Sequence, residues 1–184
     1  MYKITGGGIL IDVNHILEKA QIAEGMQVAD LGCGTLGHFV FPLAKIVGKH
    51  GKVYAVDILR IALDTIDRRI KVEGSKNIET VWSNLEIFKA TKIESSSLDA
   101  AMLLNTLYLS HKRVEIIRES VRMLKQGGKL MIVEWQNTNI PFGPPMGERV
   151  KEDSLIHGAG KFGLKFINEF IAGQYHYGVI FEKI

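Results

Sequence analysis

The sequence predicts an α/β fold: a doubly wound, mostly parallel sheet of seven strands, with helices on both faces and an antiparallel hairpin at the C-terminal end. Three observations carry this. Strand-length apolar runs alternate with segments of helical apolar spacing along most of the chain. The first run, Val28-Ala29-Asp30-Leu31, passes straight into a glycine-rich turn, and helical spacing resumes at Phe39. Two strand-like segments near the end are separated only by Ala172-Gly173-Gln174, too few residues for a parallel crossover.

Taken in order, residues 9–23 set Ile9, Val13, Ile16, Leu17 and Ala20 on one helical face. Asp12 or Asn14 stands near the start and Glu24-Gly25 is the stop. Residues 27–31 are the first strand. A helix over 39–47 takes Pro42 in its first turn, where a missing N–H costs little, and Gly48 and Gly51 close it. Residues 52–57 form the second strand, 59–72 a helix stopped by Gly74, and 78–82 the third strand. A polar stretch runs through Ser97 to a fourth strand over 98–104, entered through Asp99. A helix over 114–124 ends at Gly127-Gly128, and residues 129–134 are the fifth strand. This β-α alternation requires a sheet covered on both faces.

The last third is different. Residues 137–147 hold three of the four prolines and are expected to be irregular. A helix is expected over 146–161, then strands over 164–170 and 175–183. On the final strand Tyr175 and Tyr177 share one face and His176 takes the other.

Composition narrows the function classes. A chain of 184 residues, 46% hydrophobic and 23% charged, suits one soluble domain with a substantial core. The net charge of +3 is spread over single Lys and Arg residues, which reads as a solvated surface, so a nucleic-acid partner is not expected. The only cysteine, Cys33, excludes an internal disulfide and a multi-cysteine metal site. It reads as a small apolar residue of the turn, and no metal is expected. No segment reaches the ~20 apolar residues of a membrane span, and no signal-peptide core is present. The expectation is a cytoplasmic enzyme.

The chemistry concentrates in the glycine-rich turn. Gly32, Gly34 and Gly37 have no Cβ, so a ligand can lie against the backbone. The following helix points its free N–H groups toward the same place, as a nucleotide-type cofactor site requires. Two readings compete. Read as G-x-G-x-x-G, with Asp57 twenty residues after Gly37, the turn is a dinucleotide fingerprint and the chain an NAD(P)-binding oxidoreductase.

Read from Asp30 as D-x-G-x-G, it resembles the class I S-adenosylmethionine (SAM) methyltransferases, which are Rossmann-like. Against that family's D-L-G-C-G-T-G, Leu36 is one inserted residue before the third glycine. The resemblance continues through Asp57-Ile58, Asp99 to Asn105, and the Leu124-Lys125-Gln126-Gly127-Gly128 turn. It includes the closing hairpin.

The resemblance implies a role for each matched position. Asp30 organises the loop of Gly32, Cys33, Gly34 and Gly37 that receives the methionine ammonium end. Asp57 accepts hydrogen bonds from the ribose hydroxyls and Ile58 packs on adenine. Asn84, with Leu85 beside it, occupies the adenine-edge slot after the third strand, and Asn105 ends the fourth. The subgroup it resembles most is the small methyltransferases related to the ubiquinone/menaquinone-biosynthesis C-methyltransferases, with Glu134 at the end of the fifth strand. This implies one SAM-binding domain over residues 1–184, with an N-terminal helical segment over 1–25 and a short lid and helix over 136–161. The implied reaction moves the sulfonium methyl to a small-molecule acceptor.

No residue stands out as the catalyst, because alignment on an activated donor does most of the work. The candidates are Tyr108, which keeps the Asn-to-Tyr spacing of the N-P-P-Y signature without its prolines, and His111 and His176. The NAD(P)-binding oxidoreductase and a catalytically silent SAM-binding domain remain the alternatives.

Overall fold

A computed structural model describes residues 11–140 and 142–184. Its seven strands lie in the order β3-β2-β1-β4-β5-β7-β6. They are β1 (Gln27–Leu31), β2 (Lys52–Asp57), β3 (Ile78–Trp82), β4 (Leu98–Leu104), β5 (Leu124–Trp135), β6 (Leu164–Gly173) and β7 (His176–Lys183). β1 to β5 pair in parallel, and β7 runs antiparallel to both β5 and β6. The expected fold class is the observed one. Strand order reverses between β1 and β4, which opens a crevice above their carboxyl ends.

The period of two along each strand sorts the core into two layers. Val28, Met102 and Val133 face Ile16 and Leu17 of α1 (Val13–Ala20), Val40 and Leu43 of α2 (Val40–Val47), and Ile66 of α3 (Arg60–Glu73). Ala29, Leu103 and Ile132 face the opposite way, toward Ile116 and Ile117 of α4 (Arg113–Met123) and Leu155 of α5 (Glu152–Ala159). Asp12 caps α1 by accepting from the His15 N–H at 3.1 Å. Gly74 ends α3 in the left-handed conformation.

Strands β1 to β4 keep their expected bounds, and four later details differ. α4 ends at Met123, and the chain joins the sheet at once, with Leu124 opposite Leu98. Gly127 and Gly128 therefore lie inside β5, where the register shifts, and not at a helix end. The helix expected over 146–161 is broken into a 3-10 turn at Met146–Glu148, then α5, then a second 3-10 turn at Gly160–Phe162. The break falls where the buried Arg149 is held by main-chain carbonyls, which fixes the chain in a non-helical path. β6 extends to Gly173 and β7 starts at His176, so Tyr175 belongs to the turn and does not share a strand face with Tyr177. The first helix, expected over 9–23, spans only Val13–Ala20: Asp12 caps its start in an extended conformation and Gln21 ends it in the left-handed one, three residues early. Ile9 and Pro141 lie outside the described residues.

One buried ion pair fastens the loop before β4. Glu119 of α4 is fully buried and accepts from the N–H groups of Lys89 (2.8 Å) and Thr91 (3.0 Å). Arg122 donates to both its oxygens and to the carbonyls of Thr91 and Ile93. Burial pushes the Glu119 carboxyl up, but the Arg122 guanidinium and the two N–H groups outweigh it and hold it below its ordinary value. Its stabilisation is therefore complete above the ordinary carboxylate range and is lost as pH falls through the depressed value. Glu119→Ala, which leaves Arg122 unpaired, should cost about 3–5 kcal/mol in urea unfolding at pH 7. The gap to the wild type should narrow as the solution is acidified.

Candidate active site

The glycine-rich turn is held from three sides. The N–H groups of Gly32 and Cys33 donate to the Val56 carbonyl at 2.8 and 3.0 Å. Asp57, the last residue of β2, accepts from the Gly34 N–H through one carboxylate oxygen (2.9 Å) and from the Leu59 N–H through the other (2.8 Å). On the third side Thr106 lies against Gly32, and its hydroxyl donates to the Leu31 carbonyl at 3.0 Å. Gly32 has φ +89°, and a Cβ there would stand 2.6 Å from the Thr106 hydroxyl, so only glycine fits.

Leu36, the inserted residue, points outward and is 61% exposed. Its carbonyl accepts from Arg69, whose guanidinium lies 3.7 Å over the Phe41 ring. Gly37 (φ +54°) turns the chain into α2, where a Cβ would press on Phe41 and Ile66 at 3.2 and 3.4 Å. The insertion is thus an outward bulge.

Two adjoining cavities open at the carboxyl ends of the strands. The larger, about 520 Å³, is lined by Asp57, Ile58, Asn84 and Leu85 among others. The smaller, about 240 Å³, is lined by Asp30, Cys33, His38 and Phe39. Gly32, Gly34 and Asn105 line both. The structure thus gathers the predicted residues around one divided space, except Gly37, which packs behind the turn.

The local chemistry of each is distinct. Asp30 is 2% exposed, and burial, reinforced by the Asp57 charge, pushes its carboxyl up to about 7. Burial likewise drives the Cys33 thiol up, with Asp30 and Asp57 adding to it, so Cys33 stays a neutral thiol. Ile58 exposes its side chain while its carbonyl accepts from the Trp82 indole at 2.8 Å. Asn84 accepts from the Glu86 N–H at 2.9 Å and so shapes the turn after β3. Asn105 adopts φ +54°, uncommon for a residue with a side chain. Its amide nitrogen lies 3.2 Å from His176 Nε2, and its Oδ1 is buried with no hydrogen-bond partner among the described residues.

The three catalytic candidates separate. Tyr108 packs half-buried against the core on the α4 side, and His111 is exposed in the bend before α4. Neither lines a cavity described above. His176 is fully buried beside Asn105, with its ring 4.2 Å from that of Trp135.

Sequence reasoning noticed Glu134 but missed its part. Fully buried at the end of β5, it accepts from the N–H groups of Leu107 (2.6 Å) and Tyr108 (3.3 Å). It thereby braces the segment after Asn105, whose Thr106, Leu109 and Ser110 wall the larger cavity. Burial pushes its carboxyl up to about 7 against the pull of those N–H groups and of Arg113. Also missed was Arg149. Its guanidinium donates to the carbonyls of Gln136, Thr138, Phe142 and Pro144, which folds the segment after β5 into a fixed strap. No local pattern announces either residue: Glu134 meets N–H groups from the segment after β4, and Arg149 meets main-chain carbonyls of its own irregular segment, which carry no side-chain signature.

This arrangement has relatives. The sequence matches the methyltransferase-domain family over residues 22–172. The chain belongs to that family. A demethylmenaquinone methyltransferase of Lactococcus lactis is 31% identical over 117 residues, which cover 64% of this chain and 45% of that protein. An arsenite methyltransferase of Aquipseudomonas alcaligenes is 26% identical over 153 residues, 81% of this chain and 42% of that one. The chain therefore spans less than half the length of these two curated relatives. Among solved structures, a SAM-dependent methyltransferase from Aquifex aeolicus superposes with a TM-score of 0.85 at 24% identity, covering 95% of this chain and 91% of that one. These matches support neither the dinucleotide-oxidoreductase reading of the turn nor the catalytically silent one. Among the described residues, no helix is long and apolar enough to cross a membrane.

Glu134 gives a test of the brace. Because its folded value lies above the ordinary 4.5, its contribution is intact at acid pH and is lost as pH rises through about 7. Glu134→Gln keeps an acceptor for the Leu107 N–H and removes the ionisation. The variant should gain on the wild type between pH 5 and 8, by up to about 3 kcal/mol in chemical unfolding. A constant difference across that range would contradict the assignment.

Proposed function

We propose that this chain is a SAM-dependent methyltransferase with a small-molecule acceptor. The observation that carries the reading is the divided space at the glycine-rich turn, with one acid in each part: Asp57 in the larger cavity and Asp30 in the smaller. A nucleoside carrying an amino-acid tail needs that division. Each Asp57 oxygen takes one N–H and keeps lone-pair capacity for a ribose hydroxyl. Ile58 offers an exposed apolar surface to adenine, beside Asn84 and Leu85. In the smaller cavity Asp30 supplies an acceptor for an ammonium group, with Asn105 beside it. The residues therefore fit SAM.

Bound SAM would supply a methyl group already activated on a sulfonium. What remains for the protein is to hold the donor, align the acceptor and keep water out, and alignment of this kind is worth about 7–11 kcal/mol. Asp57 and Asp30 fix the two ends of the donor. Glu134 and Thr106 hold the wall over it, and the Arg149-pinned strap closes the neighbouring edge of the sheet. A base is needed only for an acceptor that must lose a proton. Of the three candidates His176 alone stands beside the site.

The short strap favours a small acceptor. One relative is named for arsenite, but a thiophilic metalloid calls for several thiolates, and this chain has only Cys33, buried and neutral. We therefore place the acceptor among small organic molecules. The domain reading, with residues 136–161 forming lid and helix, belongs to the same proposal.

Titration with S-adenosylhomocysteine by calorimetry tests the reading. Binding is expected, with no binding of NAD, and the reverse result would overturn it. Asp57→Ala should weaken binding at least tenfold, since charged hydrogen bonds are worth about 1.5–3 kcal/mol each. Binding should also release a proton near pH 6.5, because an ammonium beside Asp30 lowers a carboxyl otherwise raised to about 7. Binding enthalpies in two buffers of different ionisation heat measure that release, and Asp30→Asn should abolish it.

A further inference from the structure

The smaller cavity at the glycine-rich turn, about 240 Å³, is lined by one acid, Asp30, and one basic side chain, His38. Ile11, Val13, Phe39 and Leu104 give it apolar walls, and the Cys33 thiol is neutral. Asp30 accounts for the ammonium group of an amino-acid tail and for nothing else of it. An α-amino acid also brings a carboxylate into this space, and an anion taken out of water has to meet hydrogen-bond donors there.

Most donors of the turn are already committed. The N–H groups of Gly32 and Cys33 give to the Val56 carbonyl, and that of Gly34 gives to Asp57. The Asn105 amide nitrogen faces His176 at 3.2 Å. His38 is exposed and makes no hydrogen bond or ion pair among the described residues. The outward bulge at Leu36 and the left-handed Gly37 carry the chain away from the cavity, and His38 is where it returns. Phe39, the next residue of the wall, begins α2 without a side-chain cap, so the helix start adds a field favourable to an anion. The opposite end of the cavity repels one, because the Asp57 charge reaches Asp30.

We infer that His38 is the specificity residue for the amino-acid end of SAM, its imidazole N–H holding the α-carboxylate while Asp30 takes the ammonium group. The inference rests on the cofactor reading above and deepens it, because it names the residue that distinguishes an amino-acid tail from a plain amine. A ring nitrogen bearing a proton donates to a carboxylate whether the imidazole is neutral or charged. The role is one of binding. It leaves His38 no part in taking a proton from the methyl acceptor.

Calorimetric titration of the whole chain with S-adenosylhomocysteine and with its decarboxylated analogue, in which hydrogen replaces the carboxylate, tests the inference. The wild type should bind S-adenosylhomocysteine about tenfold more tightly than the analogue, the worth of one charge-assisted hydrogen bond. His38→Ala should weaken S-adenosylhomocysteine about tenfold and leave the analogue unchanged, with the urea transition in place. His38→Glu should reverse the preference, since an acid at this position repels the carboxylate and attracts the bare amine. The inference alone is overturned if His38→Ala weakens both ligands equally, or if S-adenosylhomocysteine binds that variant as tightly as the wild type. In either case binding to the wild type leaves the cofactor reading standing. If the wild type binds neither ligand, the cofactor reading fails and this assignment fails with it.

Discussion

The bond between the Asp57 carboxylate and the Gly34 N–H is the contact on which the rest of the site depends. It ties the carboxyl end of β2 to the turn leaving β1, and the second Asp57 oxygen fixes the entry to α3 through Leu59. Neighbouring parallel strands bring their carboxyl ends to one edge, so an acid at the end of one strand meets the backbone amides leaving the next. Nothing in that geometry requires the acid to be near the turn in sequence, and 23 residues separate Asp57 from Gly34.

The same edge collects two more buried carboxylates, Asp30 and Glu134, both raised to about 7 by burial. Buried acids are costly where they stay charged, and raised ionisation is how a fold lowers that cost. The two are used differently. Glu134 spends one oxygen on backbone N–H groups and serves as a structural brace. Asp30 lines a cavity and remains available to a cation. Perturbed acids at the mouth of a sheet are a common mark of functional sites, and here the hydrogen bonds of Glu134 distinguish the brace from the acid that faces a cavity.

Arg149 and Arg113 govern the rest of the rim. Arg149 gathers four carbonyls of the strap, a set of main-chain acceptors that would otherwise need water or secondary structure. Arg113 reaches from α4 to the segment after Asn105 and to Glu148 at the far end of the strap. The segment that walls the larger cavity and the strap beside it are therefore held by one pair of guanidinium groups. Phe142 and Tyr175 stack edge to face at 4.8 Å and pin the strap to the hairpin turn.

Much of this was legible in advance. The bounds of β1 to β4, the β-α alternation that makes the sheet doubly wound, and the acid–glycine pattern of the turn follow from period, turn residues and short-range chemistry, which are local properties of the chain. Apart from the first helix, which Gln21 ends early in the left-handed conformation, the details that differed lie after α4. Gly127-Gly128 looked like a helix stop, but pairing of Leu124 with Leu98 drew the chain into the sheet sooner. The segment from Met146 had helical spacing, but the guanidinium of Arg149 required a non-helical path. Asn105 was legible as a strand end. Its left-handed backbone and its contact with His176, 71 residues away, were not. By itself the sequence determined the sheet, the turn and the identity of the acids, because those depend on neighbours along the chain. Only the tertiary structure decided which acid braces, which faces a cavity, and that Leu36 bulges outward over Arg69, because those depend on groups that folding alone brings within hydrogen-bond reach.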